Sequence, residues 1–382
     1  MTAAADDGAL GRGDEDSAHW RASMAPPSLR FESVVDNVRE EDAQRRVIVQ
    51  VAYPPDPSGH LVDELRAVSP ELELVVTPYV EEHGVRAARS EASLEELQTR
   101  VPALTKTQRD AFGRAEVLLA LDVPIGLGAF APALRWVQAI GAGTDHFRGA
   151  ELGTDVVVTN AAGVAAVPIA EFVVGQLLAV WKRVDELADQ QRRHVWKPAY
   201  GRQVSGLALG LVGLGAIGTA VAERAGALGM RVLAVRRRPE ADNRPSAVDE
   251  VVGPERLHDV LSRVDAVVVC APATPDTHDL FDADAFAAMR PGALFCNVAR
   301  GSLVDEAALL NALRSGHLGA AILDVTREEP VPASSPLWDA PNLRLSPHSS
   351  ASLDHYVESV FELFADNLGR YLRREPLRNV VT

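Results

Sequence analysis

An α/β fold of two parallel-sheet domains joined by long helices is what this sequence predicts, with one domain inserted into the other. Three observations carry that expectation. Short apolar runs alternate with helix-period stretches from Val47 onward, the pattern of strands buried on both faces of a parallel sheet. One unit, LALGLVGLGAIGTAVAERAGALGMRVLAV, reads strand, glycine turn, helix and strand without interruption. Two long helical stretches, Pro168 to His194 and Tyr356 to Arg373, flank that unit and its successors.

The elements follow in order. A first strand, Val47 to Ala52, is ended by Pro54 and Pro55, which cannot continue a ladder. A helix at Leu61 to Val68, a strand at Leu72 to Thr77, a helix at Ser93 to Thr99, a strand at Val117 to Leu121 and a helix-to-strand passage through Ala131 to Ile140 make a flavodoxin-like block. The turn GAGTDHF, Gly141 to Phe147, follows a strand end, where parallel sheets hold ligands. A short strand at Val156 to Thr159 enters the Pro168 to His194 helix, whose length suits a connection between domains. Strand Ala208 to Val212, helix Ala216 to Leu228 and strand Arg231 to Val235 form the glycine-rich unit. Further strands at Ala266 to Cys270, Ala293 to Val298, Ala320 to Asp324 and Leu343 to Leu345 complete a Rossmann-like block, and the terminal helix returns to the first domain. The domains expected are a flexible acidic extension at 1–45, a substrate domain at 46–150 with 349–382, and a dinucleotide-binding domain at 151–348.

A chain of 382 residues, 47% of them hydrophobic, supports two cores. Its net charge of -15 argues against nucleic acid or an anionic membrane surface as partner, while leaving room for a local basic pocket. Cys270 and Cys296 fall in or at the end of strands and read as core residues of a reducing, cytoplasmic compartment, neither disulfide nor metal ligand. The most apolar stretch, Val164 to Trp181, carries Glu171 and reads as a buried helix instead of a membrane span.

The glycine turn implies dinucleotide binding. Gly213 serves the sharp turn, Gly215 the close approach of backbone to a pyrophosphate, and Gly218 the packing of helix on strand. The helix that starts at Ala216 and Ile217 turns free N–H groups and the positive end of its dipole toward phosphate. At the end of the second strand, where an acidic residue would accept from the ribose hydroxyls of NAD, stand Arg236, Arg237 and Arg238. A guanidinium there grips a 2′-phosphate, and one or two such charged bonds, about 1.5–3 kcal/mol each, favour NADP(H) over NAD(H) by roughly tenfold or more. NADP(H) is the preferred cofactor on this reading, with NAD(H) still usable.

Three residues beyond strand ends on the same sheet edge suit reduction of a 2-keto acid: Arg300 in CNVARGSLVDE, Glu329 in ILDVTREEP and His348 in LRLSPHSS. An arginine binds the carboxylate through its fork and polarises the adjacent carbonyl. A protonated histidine gives its proton to the growing alkoxide, and a carboxylate beside it favours the imidazolium.

With these motifs the sequence resembles the D-isomer-specific 2-hydroxyacid dehydrogenases. The resemblance runs from about Leu134 to the C-terminus through LRWVQAIGAGTDHF, PIAEFVVGQLL, GLVGLGAIG, APATPDTHDLFDADAFAAMRPGALFCNVARGSLVDEAAL, LGAAILDVTREEPVPASSPLWDAPNLRLSPH and DNLGRYLRREPLRNVV. It implies Arg300 as substrate anchor, His348 as acid/base and Glu329 as its partner. It also implies that backbone N–H groups at Ala142 and Gly143 hold the carboxylate. Ala216 and Ile217 fall at the pyrophosphate, Thr277 near the phosphates, Pro272 by the adenosine, and Val298 with Asp324 at the nicotinamide end. Thr326 and Arg327 depart from the family's common Phe and acidic residue, and Glu329 stands where the formate dehydrogenases have Gln. The resemblance further implies a homodimer, a small 2-keto acid such as glyoxylate or hydroxypyruvate as substrate, and a D product. NAD-dependent oxidation of a 2-hydroxy acid and a corepressor-like nucleotide-sensing module are the other readings it leaves open.

Overall fold

The computed structural model describes residues 46–54, 58–89, 93–240, 244–352 and 354–381. The extension expected at 1–45 lies outside the described residues.

The first lobe contains β1 (Val47–Val51), α1 (His60–Val68), β2 (Leu72–Val76), α2 (His83–Ala88), α3 (Leu94–Arg100), α4 (Lys106–Arg114), β3 (Val117–Ala120), α5 (Leu127–Phe130), β4 (Trp136–Ala139) and β5 (Val157–Thr159). Its strands pair in parallel in the order β2-β1-β3-β4-β5. β3 and β4 are buried along their whole length, which explains why they read as unbroken apolar runs. Sequence reasoning passed over α2, α4 and α5. The start of α4 is a capping box, in which the Thr105 side chain accepts from Gln108 N–H and the Gln108 side chain accepts from Thr105 N–H.

The lobes are joined by α6 (Ala166–Trp181) and α7 (Val184–Arg192), not by one continuous helix from Pro168 to His194. Arg183 takes a left-handed φ of 58° between them. The break has a local cause: the returning chain places Arg202 N–H 2.8 Å from the Trp181 carbonyl, and Lys182 Nζ donates to the Arg202 carbonyl at 2.7 Å. Arg202 thus takes the Trp181 carbonyl, which in a continuous helix would receive the N–H of Asp185. α6 buries Ala170, Val173, Leu177 and Trp181, whereas α7 buries none of its residues.

The second lobe contains β6 (Ala208–Val212), α8 (Ala216–Ala227), β7 (Arg231–Val235), β8 (Glu250–Val252), α9 (Leu257–Leu261), β9 (Ala266–Val269), α10 (Ala283–Ala288), β10 (Leu294–Asn297), α11 (Glu306–Arg314), β11 (Ala320–Leu323) and β12 (Leu343–Leu345). Its parallel sheet runs β12-β11-β10-β9-β6-β7-β8, so the winding reverses between β6 and β9. That reversal opens a crevice at the carboxyl ends of the strands. The short β8 and α9 were not expected from the sequence.

β5 pairs with β4, so Val157–Thr159 belongs to the first sheet and not to the second domain, where the boundary at 151 put it. The reason lies in hydrogen bonding: Thr159 bridges Val380 on its free side, and its hydroxyl takes the Trp136 indole N–H at 2.8 Å. α12 (Tyr356–Leu372) returns to the same lobe and packs Val360, Phe361, Phe364 and Leu368 against Val49, Val117 and Trp136. The Trp136 and Tyr371 rings stack at 5.5 Å, and Asn367 Nδ2 donates to the buried Gln138 at 3.2 Å.

Candidate active site

Every chemistry-bearing residue of the second lobe lies past the carboxyl end of a strand. Gly213 to Gly218 follow β6, Arg236 follows β7, Pro272 and Thr277 follow β9, Val298 and Arg300 follow β10, Asp324 and Glu329 follow β11, and His348 follows β12. They therefore share one edge of the sheet.

At that edge Gly213 has a φ of 101°, and a Cβ there would stand 2.6 Å from Ala271 N. Only glycine makes this turn. The backbone of Gly218 packs just as closely on the Gly213 carbonyl, whereas a Cβ on Gly215 would meet nothing within 4 Å among the described residues. Gly215 is the N-cap of α8, and no side chain caps that helix. A strand-to-helix turn with open space at its middle glycine and an uncapped helix start fits a dinucleotide's pyrophosphate. Cys270 Sγ donates to the Gly213 carbonyl at 3.0 Å, a contact the sequence did not signal. Burial pushes the Cys270 thiol up to about 12 and raises that of Cys296 as well, so both are held as thiols.

Arg236 leaves β7 half-buried, while Arg237 and Arg238 are exposed. The Arg236 N–H donates to Val252 across the sheet at 3.0 Å. Thr277 closes the turn after β9: its hydroxyl donates to the Pro272 carbonyl at 2.8 Å and accepts from Thr274 N–H at 2.8 Å. Pro272 is exposed and Val298 is buried, its N–H on the Val269 carbonyl at 3.2 Å.

Glu329 and His348 come into direct contact, with His348 Nδ1 2.9 Å from Glu329 Oε2. The other carboxylate oxygen of Glu329 accepts from Thr326 N–H at 3.1 Å, so the group is held at both oxygens. Glu329 is 18% exposed and His348 44%, which places the carboxylate behind the imidazole as seen from solvent. Because Nδ1 faces the carboxylate, Nε2 is the nitrogen left for a substrate.

The loop that carries His348 is strained and braced. His348 has a φ of 52°, and its N–H donates to the Asp324 carbonyl at 2.9 Å. The buried Asp324 carboxylate accepts from Ser346 Oγ at 2.7 Å, Ser349 N–H at 2.9 Å and Ser350 N–H at 3.0 Å, and also from Ser350 Oγ. Asp324 thus ties β11 to the residues on both sides of His348, a task that sequence reasoning missed. The signal was there in SPHSS, a histidine flanked by short donors.

Arg300 sits in an extended conformation ahead of a tight turn, with its carbonyl held by the side chain of buried Asn297 at 2.9 Å and its Nη1 donating to Ala299 O at 2.8 Å. Beside it the backbone of Gly301 abuts Thr326 so closely that a Cβ would stand 2.0 Å from the Thr326 carbonyl carbon. The Arg300 turn thereby rests on the segment whose N–H holds Glu329. Ala142 and Gly143 lie in the first lobe past β4, where Asn160 Nδ2 donates to the Ala142 carbonyl at 2.6 Å. In the same lobe Tyr356, at the start of the helix that follows His348, donates to the Ile140 carbonyl at 2.8 Å, just ahead of that turn.

Comparison with known proteins agrees with this arrangement. Residues 174–350 match the profile of the D-isomer specific 2-hydroxyacid dehydrogenase NAD binding domain. Glyoxylate/hydroxypyruvate reductase B of Citrobacter koseri is 33% identical over 293 residues, covering 73% of this chain and 88% of that one. Glyoxylate reductase of Korarchaeum cryptofilum is 31% identical over 316 residues, covering 80% and 94%. Among solved structures, a D-isomer specific 2-hydroxyacid dehydrogenase from Xanthobacter autotrophicus, in complex with NADPH and MES, superposes with a TM-score of 0.71 at 29% identity, covering 88% of this chain and 98% of that one. A paired glutamate and histidine across from a glycine turn, on a chain this similar to those enzymes over most of its length, admits one conclusion: the protein belongs to the D-isomer specific 2-hydroxyacid dehydrogenase family, oxidoreductases that act on CH–OH groups with a nicotinamide cofactor.

Proposed function

We propose that the protein reduces a small 2-keto acid, of the size of glyoxylate or hydroxypyruvate, to the D-2-hydroxy acid with NADPH. The observation that carries this reading is the 2.9 Å contact between Glu329 and His348. Glu329 fixes the imidazole through Nδ1 and sets its negative charge beside the imidazolium, and His348 Nε2 delivers the proton to the substrate oxygen. Arg300 takes the substrate carboxylate in its fork and draws electron density from the neighbouring carbonyl, while the N–H groups of Ala142 and Gly143 hold the carboxylate from the other lobe. Gly213, Gly215, Ala216, Ile217 and Gly218 receive the pyrophosphate, with Thr277 near the phosphates, Pro272 by the adenosine and Val298 with Asp324 at the nicotinamide end. When bound there, the nicotinamide supplies the hydride. Arg236, with the exposed Arg237 beside it, takes the 2′-phosphate of NADPH.

Initial rates of NADPH and NADH oxidation against glyoxylate, hydroxypyruvate, pyruvate and phenylpyruvate test this reading. NADPH-linked turnover is expected, with kcat/KM for NADPH exceeding that for NADH by about tenfold or more. In Arg236→Asp that ratio is expected to fall below one, since a carboxylate repels the 2′-phosphate and accepts from ribose hydroxyls. An unaltered ratio would remove Arg236 from the site. Turnover confined to NAD-linked oxidation of 2-hydroxy acids would favour the oxidative enzyme, and tight cofactor binding without any turnover the nucleotide-sensing module.

The working form is a homodimer in this reading, and the exposed faces of α7 and of the segment after it support it. Val184, Leu187, Val195, Trp196 and Tyr200 are exposed together there, Trp196 fully. Large apolar side chains gathered on one exposed segment mark an association surface. Light scattering is expected to give twice the chain mass for the wild type and the single mass for Leu187→Asp combined with Trp196→Asp; a wild-type monomer would end this part of the proposal. Among the described residues no helix is long and apolar enough to cross a membrane. Two free, buried or half-buried cysteines support a reducing cytoplasmic location.

A further inference from the structure

We infer that Arg327 is a positioning residue for Arg300. The inference rests on the reductase reading above. Arg327 reaches three ways from its place after β11. Its backbone N–H donates to Glu306 Oε1 at 2.8 Å, its side-chain Nε donates to the Val304 carbonyl at 2.7 Å, and its guanidinium forms an ion pair with Asp279. Glu306 opens α11 and Val304 closes the Arg300 turn, so two of the three contacts grip the exit of that turn. Asn297 holds its entry through the Arg300 carbonyl.

Asp279 extends the clamp toward the cofactor side. It lies just past Thr277, its N–H donates to the Ser302 carbonyl at 2.9 Å, and its carboxylate is 3.0 Å from His278 Nδ1. One guanidinium thereby fastens the Thr277 turn, the Arg300 turn and the Thr326–Glu329 turn to one another. Without the guanidinium, the Asp279 carboxylate and the Val304 carbonyl lose the group that joins them. The pieces it joins hold the substrate anchor and the His348 partner, and neither fork geometry nor proton transfer tolerates a displacement of an ångström.

The test is steady-state kinetics with glyoxylate and hydroxypyruvate on wild type, Arg327→Met, Arg327→Lys and Asp279→Asn, beside NADPH affinity by fluorescence titration. Arg327→Met is expected to raise KM for the keto acid by about tenfold and to lower kcat by a smaller factor, with NADPH affinity changed by less than about twofold. Asp279→Asn should move KM in the same direction by less, and the double variant should be no worse than Arg327→Met alone. Arg327→Lys keeps the charge without the forked reach and should fall between. Should Arg327→Met not fold, Arg327→Lys and Asp279→Asn carry the same comparison. An unchanged keto-acid KM in the folded variants of an active enzyme would overturn this inference alone, as would equal losses in kcat and NADPH affinity, the mark of general loosening. Wild-type silence with every keto acid would overturn the reductase reading and this inference with it.

Discussion

His348→Ala is expected to lower kcat for keto-acid reduction by about two to four orders of magnitude while NADPH affinity stays within about twofold. The imidazole is 44% exposed and meets Glu329, while its loop is held through the His348 backbone N–H, so removal of the ring leaves no cavity in the core. The loss is therefore chemical: it removes the group whose Nδ1 meets Glu329 and whose Nε2 protonates the alkoxide. Glu329→Gln should lose less, since the amide still meets Nδ1 but brings no charge to the imidazolium. Single-turnover rates alongside fluorescence titration of NADPH separate chemistry from binding. A His348→Ala enzyme turning over within tenfold of wild type would take the proton-donor role away from this residue.

The second large effect is expected at Arg300. Two charge-assisted bonds to a carboxylate, at about 1.5–3 kcal/mol each, amount to about 3–6 kcal/mol, or roughly two to four orders of magnitude in kcat/KM for Arg300→Leu. Both parameters should suffer, because the guanidinium binds the ground state and also polarises the carbonyl as charge develops. Arg300→Lys keeps the charge without the fork and should recover part of the loss. The turn itself should survive either change, since Asn297 holds it by the Arg300 backbone carbonyl and not by the side chain. A kcat/KM for Arg300→Leu within about threefold of wild type would exclude it as the carboxylate anchor.

The contrast between what was legible and what was not follows from range. β6, α8 and β7 were readable almost to the residue, because strand, turn and helix signals there are all local: a buried apolar run, a left-handed glycine, an uncapped helix start. The placement of Arg300, Glu329 and His348 past strand ends was legible for the same reason. The break between α6 and α7 was not, since it depends on Arg202 coming back to cap Trp181. β5 was assigned to the wrong lobe because its partners, β4 and Val380, are distant in sequence. Asp324 shows the limit within the site itself. Its four donors lie past β12, and nothing near LDV announces them. α4 was passed over despite a local signal, the Thr105 and Gln108 box, because its polar sequence masks its short apolar face.

The return of α12 to the first sheet has a consequence for how the chain is made. The core beneath Trp136 is completed by Val360, Phe361, Phe364 and Leu368, whereas the cores of the second lobe draw on residues from α6 to β12, all made before α12. A chain emerging from the ribosome can close the second lobe while the first still shows its apolar face, since domains tend to fold as units during synthesis. The lobe that is made first is the one that closes last.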